Sequence, residues 1–189
     1  LVAVALGWYW LDSLKARDVA LVAGERACAA EGLQFLDWTV AQAVVARFTN
    51  AGQSCISAKR FIVVPQIADE FVARLQVEIA KLQCGDPVLD QATLAPLARV
   101  DLRDELHQQV LDSIAAGAKP LLGCEPLPGA GAFYPASLLD QVAPGMRAYD
   151  EEIFGPVALV LRAKDESDAI RIANDTRFGL ALGLISPHR

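Results

Sequence analysis

The 189-residue sequence has no C-x-x-C pair, no basic cluster, no long apolar run and no low-complexity tract, and each absence removes a class of protein. Its four cysteines, Cys28, Cys55, Cys84 and Cys124, are widely spaced. Neither a metal site nor a dense disulfide framework is expected from them, and a reducing, cytoplasmic compartment fits them best. Lys and Arg total 17 against 23 acidic residues, giving a net charge of -6 and a pI near 4.9. A phosphate-binding surface needs clustered cations, so nucleic acid is not an expected partner. Leu1–Leu11 is apolar but has no basic leading segment or cleavage-like end, and it is shorter than the roughly 18 apolar residues a bilayer span requires. Neither a signal peptide nor a membrane helix is expected. His107 and His188 stand alone, without a second ligand or triad partner, and are expected on a helix surface and in the tail.

What is present is an ordinary globular composition, 53% hydrophobic and 21% charged, sufficient for a core within one domain. With no internal repeat or Ser/Gly-rich linker, one compact unit is expected. Leu36, Val40, Val44 and Phe48 form a four-residue series that predicts a helix over 36–48, packed on a sheet. The β-branched run from Lys59 to Pro65 predicts a buried strand. Ile67, Phe71, Val72, Leu75, Ile79 and Leu82 then recur at helical spacing until Gly85-Asp86-Pro87. A second helix is predicted over 101–116, with Leu102, Leu106, Val110, Leu111 and Ile114 on one face. Strands are predicted at 120–123, 157–161 and 180–185, a helix at 166–174, and an exposed loop at 124–131, where Pro126, Pro128, Gly129 and Gly131 gather. Strands joined by helices predict an α/β fold with a parallel, helix-covered sheet. Upstream of Leu36 the pattern weakens, and Trp8-Tyr9-Trp10 has no physical account beyond burial in a core or interface. The sequence opens on Leu1 and stops at Pro187-His188-Arg189 just after an apolar stretch, so the fold is expected to be incomplete at both ends.

Asn50-Ala51-Gly52-Gln53-Ser54-Cys55 sets one thiol on a small-residue turn ahead of that first predicted strand. A thiol acts as its thiolate, and backbone N–H groups that can approach a substrate carbonyl stabilise the oxyanion formed on attack. On residue type alone, Cys55 is equally a small buried hydrophobe. Lys59 and Arg60 could bring a cation near it, but strand alternation points them apart and favours structural roles.

The hexapeptide, with Lys59-Arg60-Phe61-Ile62-Val63 after it, resembles the catalytic cysteine segment of the aldehyde dehydrogenase superfamily. Glu151-Glu152-Ile153-Phe154-Gly155-Pro156-Val157 resembles that family's cofactor-contacting motif. The stretches 98–107, 131–135 and 173–180 are similar as well, with a likeness to the succinate-semialdehyde dehydrogenase branch. The resemblance implies the family's catalytic-domain fold, represented by a partial domain over 1–189 in which 1–35 is a degenerate leading segment. The family's cofactor-binding domain and oligomerisation tail are then absent from the sequence.

It further implies Cys55 as nucleophile, an aldehyde as substrate, NAD or NADP as hydride acceptor, and a homo-oligomer as an assembly the family allows. Glu152 would bond the nicotinamide ribose and Phe154 would pack beside the nicotinamide. Without the resemblance, Glu152 is a surface acid in a charge run, though the aromatic and rigid Gly155-Pro156 turn oppose that. The family's general base stands about 34 residues before the cysteine, a count that here reaches Leu21, which cannot accept a proton. Glu25 and Glu31 are the nearby carboxylates that could replace it. A catalytically inactive relative serving as an interaction or assembly module is therefore the competing expectation. A thiol redox sensor at Cys55 is a weaker one, since no resolving cysteine lies nearby in sequence.

Overall fold

A computed structural model of the chain describes residues 35–88, 92–129 and 131–179. The chain divides into two units rather than the expected one: Val40–Leu182, and Leu1–Thr39 with Gly183–Arg189. Only residues 35–39 of the second are described, and every described strand, with every helix after the first, belongs wholly to Val40–Leu182. The predicted strand at 180–185 lies outside the described residues, as do Trp8-Tyr9-Trp10 and His188.

Helix α1 (Phe35–Phe48) leads through a short 3-10 turn, Thr49–Gly52, toward strand β1 (Arg60–Val63). Helix α2 (Pro65–Ile79) follows at once, its proline at the first turn, where a missing N–H leaves no helical bond unmade. Helix α3 (Val100–Ala115), strands β2 (Lys119–Leu122) and β3 (Ser137–Asp140), the single-turn helix α4 (Arg147–Asp150), strand β4 (Val157–Arg162) and helix α5 (Glu166–Asn174) complete the described elements. The strand order is β1-β4-β3-β2. β4 lies between β1 and β3 and is parallel to both. Val157, Leu159 and Leu161 join Leu106 and Val110 of α3 in one core, while α2 packs on β3 and β4. With helices over the sheet, β4 is an unbroken apolar run rather than an alternating one.

The α/β architecture with a helix-covered sheet is as expected, but the sheet is mixed: β2 and β3 are antiparallel. A parallel pair needs a crossover, usually a helix. The segment between β2 and β3 holds Pro126, Pro128, Gly129 and Pro135 and forms none, so β3 returns beside β2. Strand β3 and helix α4 were not predicted. β3 is buried at all four positions, and two of these are polar. Ser137 Oγ accepts from the Cys124 N–H and donates to the Pro135 carbonyl, both at 2.8 Å. Asp140 takes two bonds from the Arg162 guanidinium, at 3.1 and 2.8 Å.

Helix α3 is rotated from its predicted face. Leu111 is 43% exposed, whereas Gln109 and Ser113 are buried. Ser113 Oγ donates to the Gln109 carbonyl at 2.6 Å and accepts from the Ala148 N–H at 2.9 Å, which docks α4 against this polar stripe.

Candidate active site

The cysteine turn begins where α1 runs out of helical geometry. Asn50, Ala51 and Gly52 take φ values of 54°, 51° and 69° in succession, a left-handed stretch that reverses the chain. Asn50 tolerates it by donating from Nδ2 to the Gln53 carbonyl at 3.1 Å. Gly52 is required by contact as well as conformation, because a Cβ there would run into the Gly155 carbonyl and the Arg47 guanidinium. Gln53 Oε1 accepts from the Ala98 N–H at 2.8 Å, and Ser57 N–H closes the next turn on the Ser54 carbonyl at 3.1 Å. The result is an exposed Cys55 on a backbone fixed at both sides.

Lys59 ties this turn together from within. Its Nζ donates to the carbonyls of Ser54, Cys55 and Ser57 at 3.3, 3.2 and 3.2 Å. The same ammonium lies 3.1 Å from Glu152 Oε1. That contact is an ion pair rather than an aligned hydrogen bond, since Oε1 is buried and accepts none among the described residues. One cation thus joins the Cys55 backbone to the carboxylate of a motif almost a hundred residues away in sequence.

Arg47, in the last turn of α1, bonds to the second of these segments. It is 0% exposed, and its Nη2 donates to the carbonyls of Ile153, at 2.9 Å, and Gly155. Burial pushes its pKa down to about 9, with the Glu152 charge opposing the shift, so the group stays protonated at neutral pH. Ile153 is fully buried while the next residue, Phe154, is 40% exposed. Gly155 sits so close beneath Leu106 of α3 that a Cβ would collide with its side chain. The 152–155 segment is therefore anchored through Ile153 and Gly155 and presents Glu152 and Phe154.

The two adjacent acids have different surroundings. Glu151 receives both arms of Arg147 at 2.9 Å and the Gln109 amide at 2.9 Å. Arg147, then Gln109, holds its carboxyl below the usual 4.5. Glu152, by contrast, faces the cysteine turn. Arg60 takes no part in that turn: it donates to the Ile172 and Asp175 carbonyls at 2.9 and 3.1 Å and stacks 4.5 Å over the Tyr149 ring. His107 is half-buried rather than a free surface residue, with Nδ1 3.3 Å from the Tyr134 hydroxyl. Cys84 and Cys124 are free thiols whose pKa burial raises, Cys124 to about 11. Leu21, Glu25, Cys28 and Glu31 lie outside the described residues.

Sequence reasoning brought Cys55, Glu152 and Phe154 forward and missed Arg47. The available signal was its place on the apolar stripe of α1, in helical register with Val40 and Ala43 and beside Phe48, all buried. A charged residue on a buried stripe needs specific partners. Strand alternation reads Lys59, like Arg60, as structural; it lies just before β1, and its contacts with the cysteine turn and Glu152 come from the fold.

Residues 31–189 match the model of the aldehyde dehydrogenase family. The chain is 48% identical over 146 residues to succinate semialdehyde dehydrogenase [NAD(P)+] Sad of Escherichia coli strain K12, covering 77% of this chain and 32% of that protein. It is 48% identical over 145 residues to succinate-semialdehyde dehydrogenase [NADP(+)] 1 of Mycobacterium ulcerans, with the same coverage of 77% and 32%. The crystal structure of succinate-semialdehyde dehydrogenase from Burkholderia pseudomallei superimposes with a TM-score of 0.73 at 32% identity, over 78% of this chain and 31% of that one. The chain spans about a third of the length of the curated relatives it matches.

Proposed function

The chain belongs to the aldehyde dehydrogenase family, and on that membership we propose that Cys55 is the nucleophile of an NAD(P)-linked oxidation of an aldehyde to its acid. Residues 1–189 would form a partial catalytic domain, completed by a cofactor-binding domain and an oligomerisation tail. The observation that carries the proposal is the single ammonium of Lys59, which touches both the Cys55 carbonyl and the Glu152 carboxylate. It supports one site built from the two motifs.

Cys55, as thiolate, bonds to the aldehyde carbon, and its own backbone N–H is one donor to the oxyanion that forms on the carbonyl oxygen. NAD or NADP, when bound, accepts the hydride that leaves this carbon. Cys55 then carries the acyl group as a thioester until water releases the acid. The surroundings of Glu152 and Phe154 fit such a cofactor. Glu152 keeps a second carboxylate oxygen that no described residue engages, suited to ribose hydroxyls, and Phe154, 40% exposed, supplies an aromatic ring on which a flat heterocycle could pack. Succinate semialdehyde is the proposed substrate, because the E. coli and M. ulcerans relatives are named for it.

Deacylation also needs a base within about 3 Å of the water, directly or through one more water. The family's position falls on Leu21, so Glu25 or Glu31 would have to serve. That leucine favours a second reading, an inactive relative retained for assembly. Both readings are tested on the full-length protein carrying these residues, by aldehyde-dependent NAD(P)H formation with and without Cys55→Ala. Loss of turnover in the variant supports the enzyme, and equal non-zero rates in the two proteins refute the nucleophile. Stoichiometric acylation of Cys55 by an activated ester with no turnover identifies the inactive relative.

A further inference from the structure

Glu152 is the one acid of the 151–152 pair aimed at the cysteine turn, and the group that aims it is Lys59. The Lys59 side chain is only 14% exposed and its ammonium makes three carbonyl contacts, so the turn fixes its place independently of Glu152. A carboxylate beside a fixed cation loses rotamer freedom. On the other side, Arg47 holds the backbone on both flanks of Phe154. Glu152 is thereby clamped between an anchored main chain and an anchored ammonium.

Resting on the function proposed above, we infer that Lys59 is a positioning residue: it couples the backbone of the Cys55 turn to the cofactor-facing carboxylate of Glu152. It touches neither the aldehyde nor the cofactor. Two consequences follow from one side chain. Its loss frees the Ser54, Cys55 and Ser57 carbonyls, which alters the presentation of the thiol. It also releases the Glu152 carboxylate, which weakens the cofactor site through Glu152 alone.

The test uses the full-length protein and reads two quantities that need no turnover: the Kd for NAD+ and NADP+, and the rate of Cys55 alkylation by iodoacetamide. Lys59→Met is expected to raise the Kd of the preferred cofactor about tenfold and to change the alkylation rate at least about twofold. Lys59→Arg, which keeps a cation beside Glu152, is expected to recover most of the Kd but not the alkylation rate, because a planar fork does not reproduce three converging carbonyl contacts. Glu152→Gln raises the Kd as well, and adding Lys59→Met to it changes the Kd no further, since the lysine acts on the cofactor only through that carboxylate.

Independent, multiplying losses in the double variant overturn the coupling, as does a Lys59→Met protein with unchanged Kd and alkylation rate. A misfolded Lys59→Met protein leaves the Lys59→Arg pattern to decide in the same way. Equal turnover by wild type and Cys55→Ala defeats the nucleophile assignment while the Lys59 coupling is still measured by Kd. A protein that binds neither cofactor defeats both.

Discussion

A Cβ at Gly52 would meet the Gly155 carbonyl and the Arg47 guanidinium, in a backbone conformation that L side chains rarely adopt. Two separate penalties therefore fall on one methyl group: left-handed strain, and displacement of a buried cation that ties α1 to the 153–155 backbone. Gly52→Ala is expected to cost about 2 kcal/mol or more, measured as a lowered urea midpoint at unchanged slope. Ala51, beside it, is also left-handed and is 2% exposed, so with Asn50 the turn already carries two such residues without glycine's freedom. That Gly52 lies in a turn is legible from its neighbours Asn50 and Gln53. That its missing side chain makes room for residues 47 and 155 is not, because neither contact is local.

At the scale of elements, residue patterns located α1, α3, α5, β1, β2 and β4 within a residue or two, whereas α2 ends at Ile79, short of the Leu82 that its apolar spacing includes. Strand β3 escaped because its four residues are Ser-Leu-Leu-Asp, with polar ends and no alternation. Its polar ends are satisfied by the fold itself, by Cys124 and Pro135 at one end and Arg162 at the other. Ser137→Ala leaves the buried Cys124 N–H and the Pro135 carbonyl without that partner. A loss of about 1–3 kcal/mol is expected, checked by equilibrium urea unfolding against wild type. A loss below the error of the measurement would mean that water replaces the hydroxyl.

For the whole molecule, Arg147 links helices α3 and α4 through Asp112 at 2.9 Å and Glu151 at 2.9 Å. Bonds from Arg147, then from Gln108 or Gln109, hold both carboxyls below their ordinary values of 3.8 and 4.5. The unfolded chain therefore binds more protons in that acid range. The pairs stabilise the fold fully above about pH 4.5 and cease to do so as pH falls through the depressed values. In Arg147→Met this dependence is removed, so its urea midpoint should fall less than that of wild type between about pH 7 and pH 3. Equal losses in the two proteins would overturn the assignment of this acid sensitivity to the Arg147 pairs. No helix among the described residues is long and apolar enough to cross a membrane.

By itself the sequence determined the family and the alternation of strands and helices, and it brought Cys55, Glu152 and Phe154 forward as candidates. Those rest on local patterns: residue type, short-range periodicity and motif order. Tertiary structure alone decided that β3 runs antiparallel to β2, that Arg47 is buried, that Leu111 faces outward, and that Glu152 rather than Glu151 meets the cysteine turn. Each of these depends on contacts between segments far apart in the chain. Burial of a charge, choice between adjacent acids and strand direction are fixed by which partner arrives, and no local pattern encodes that arrival.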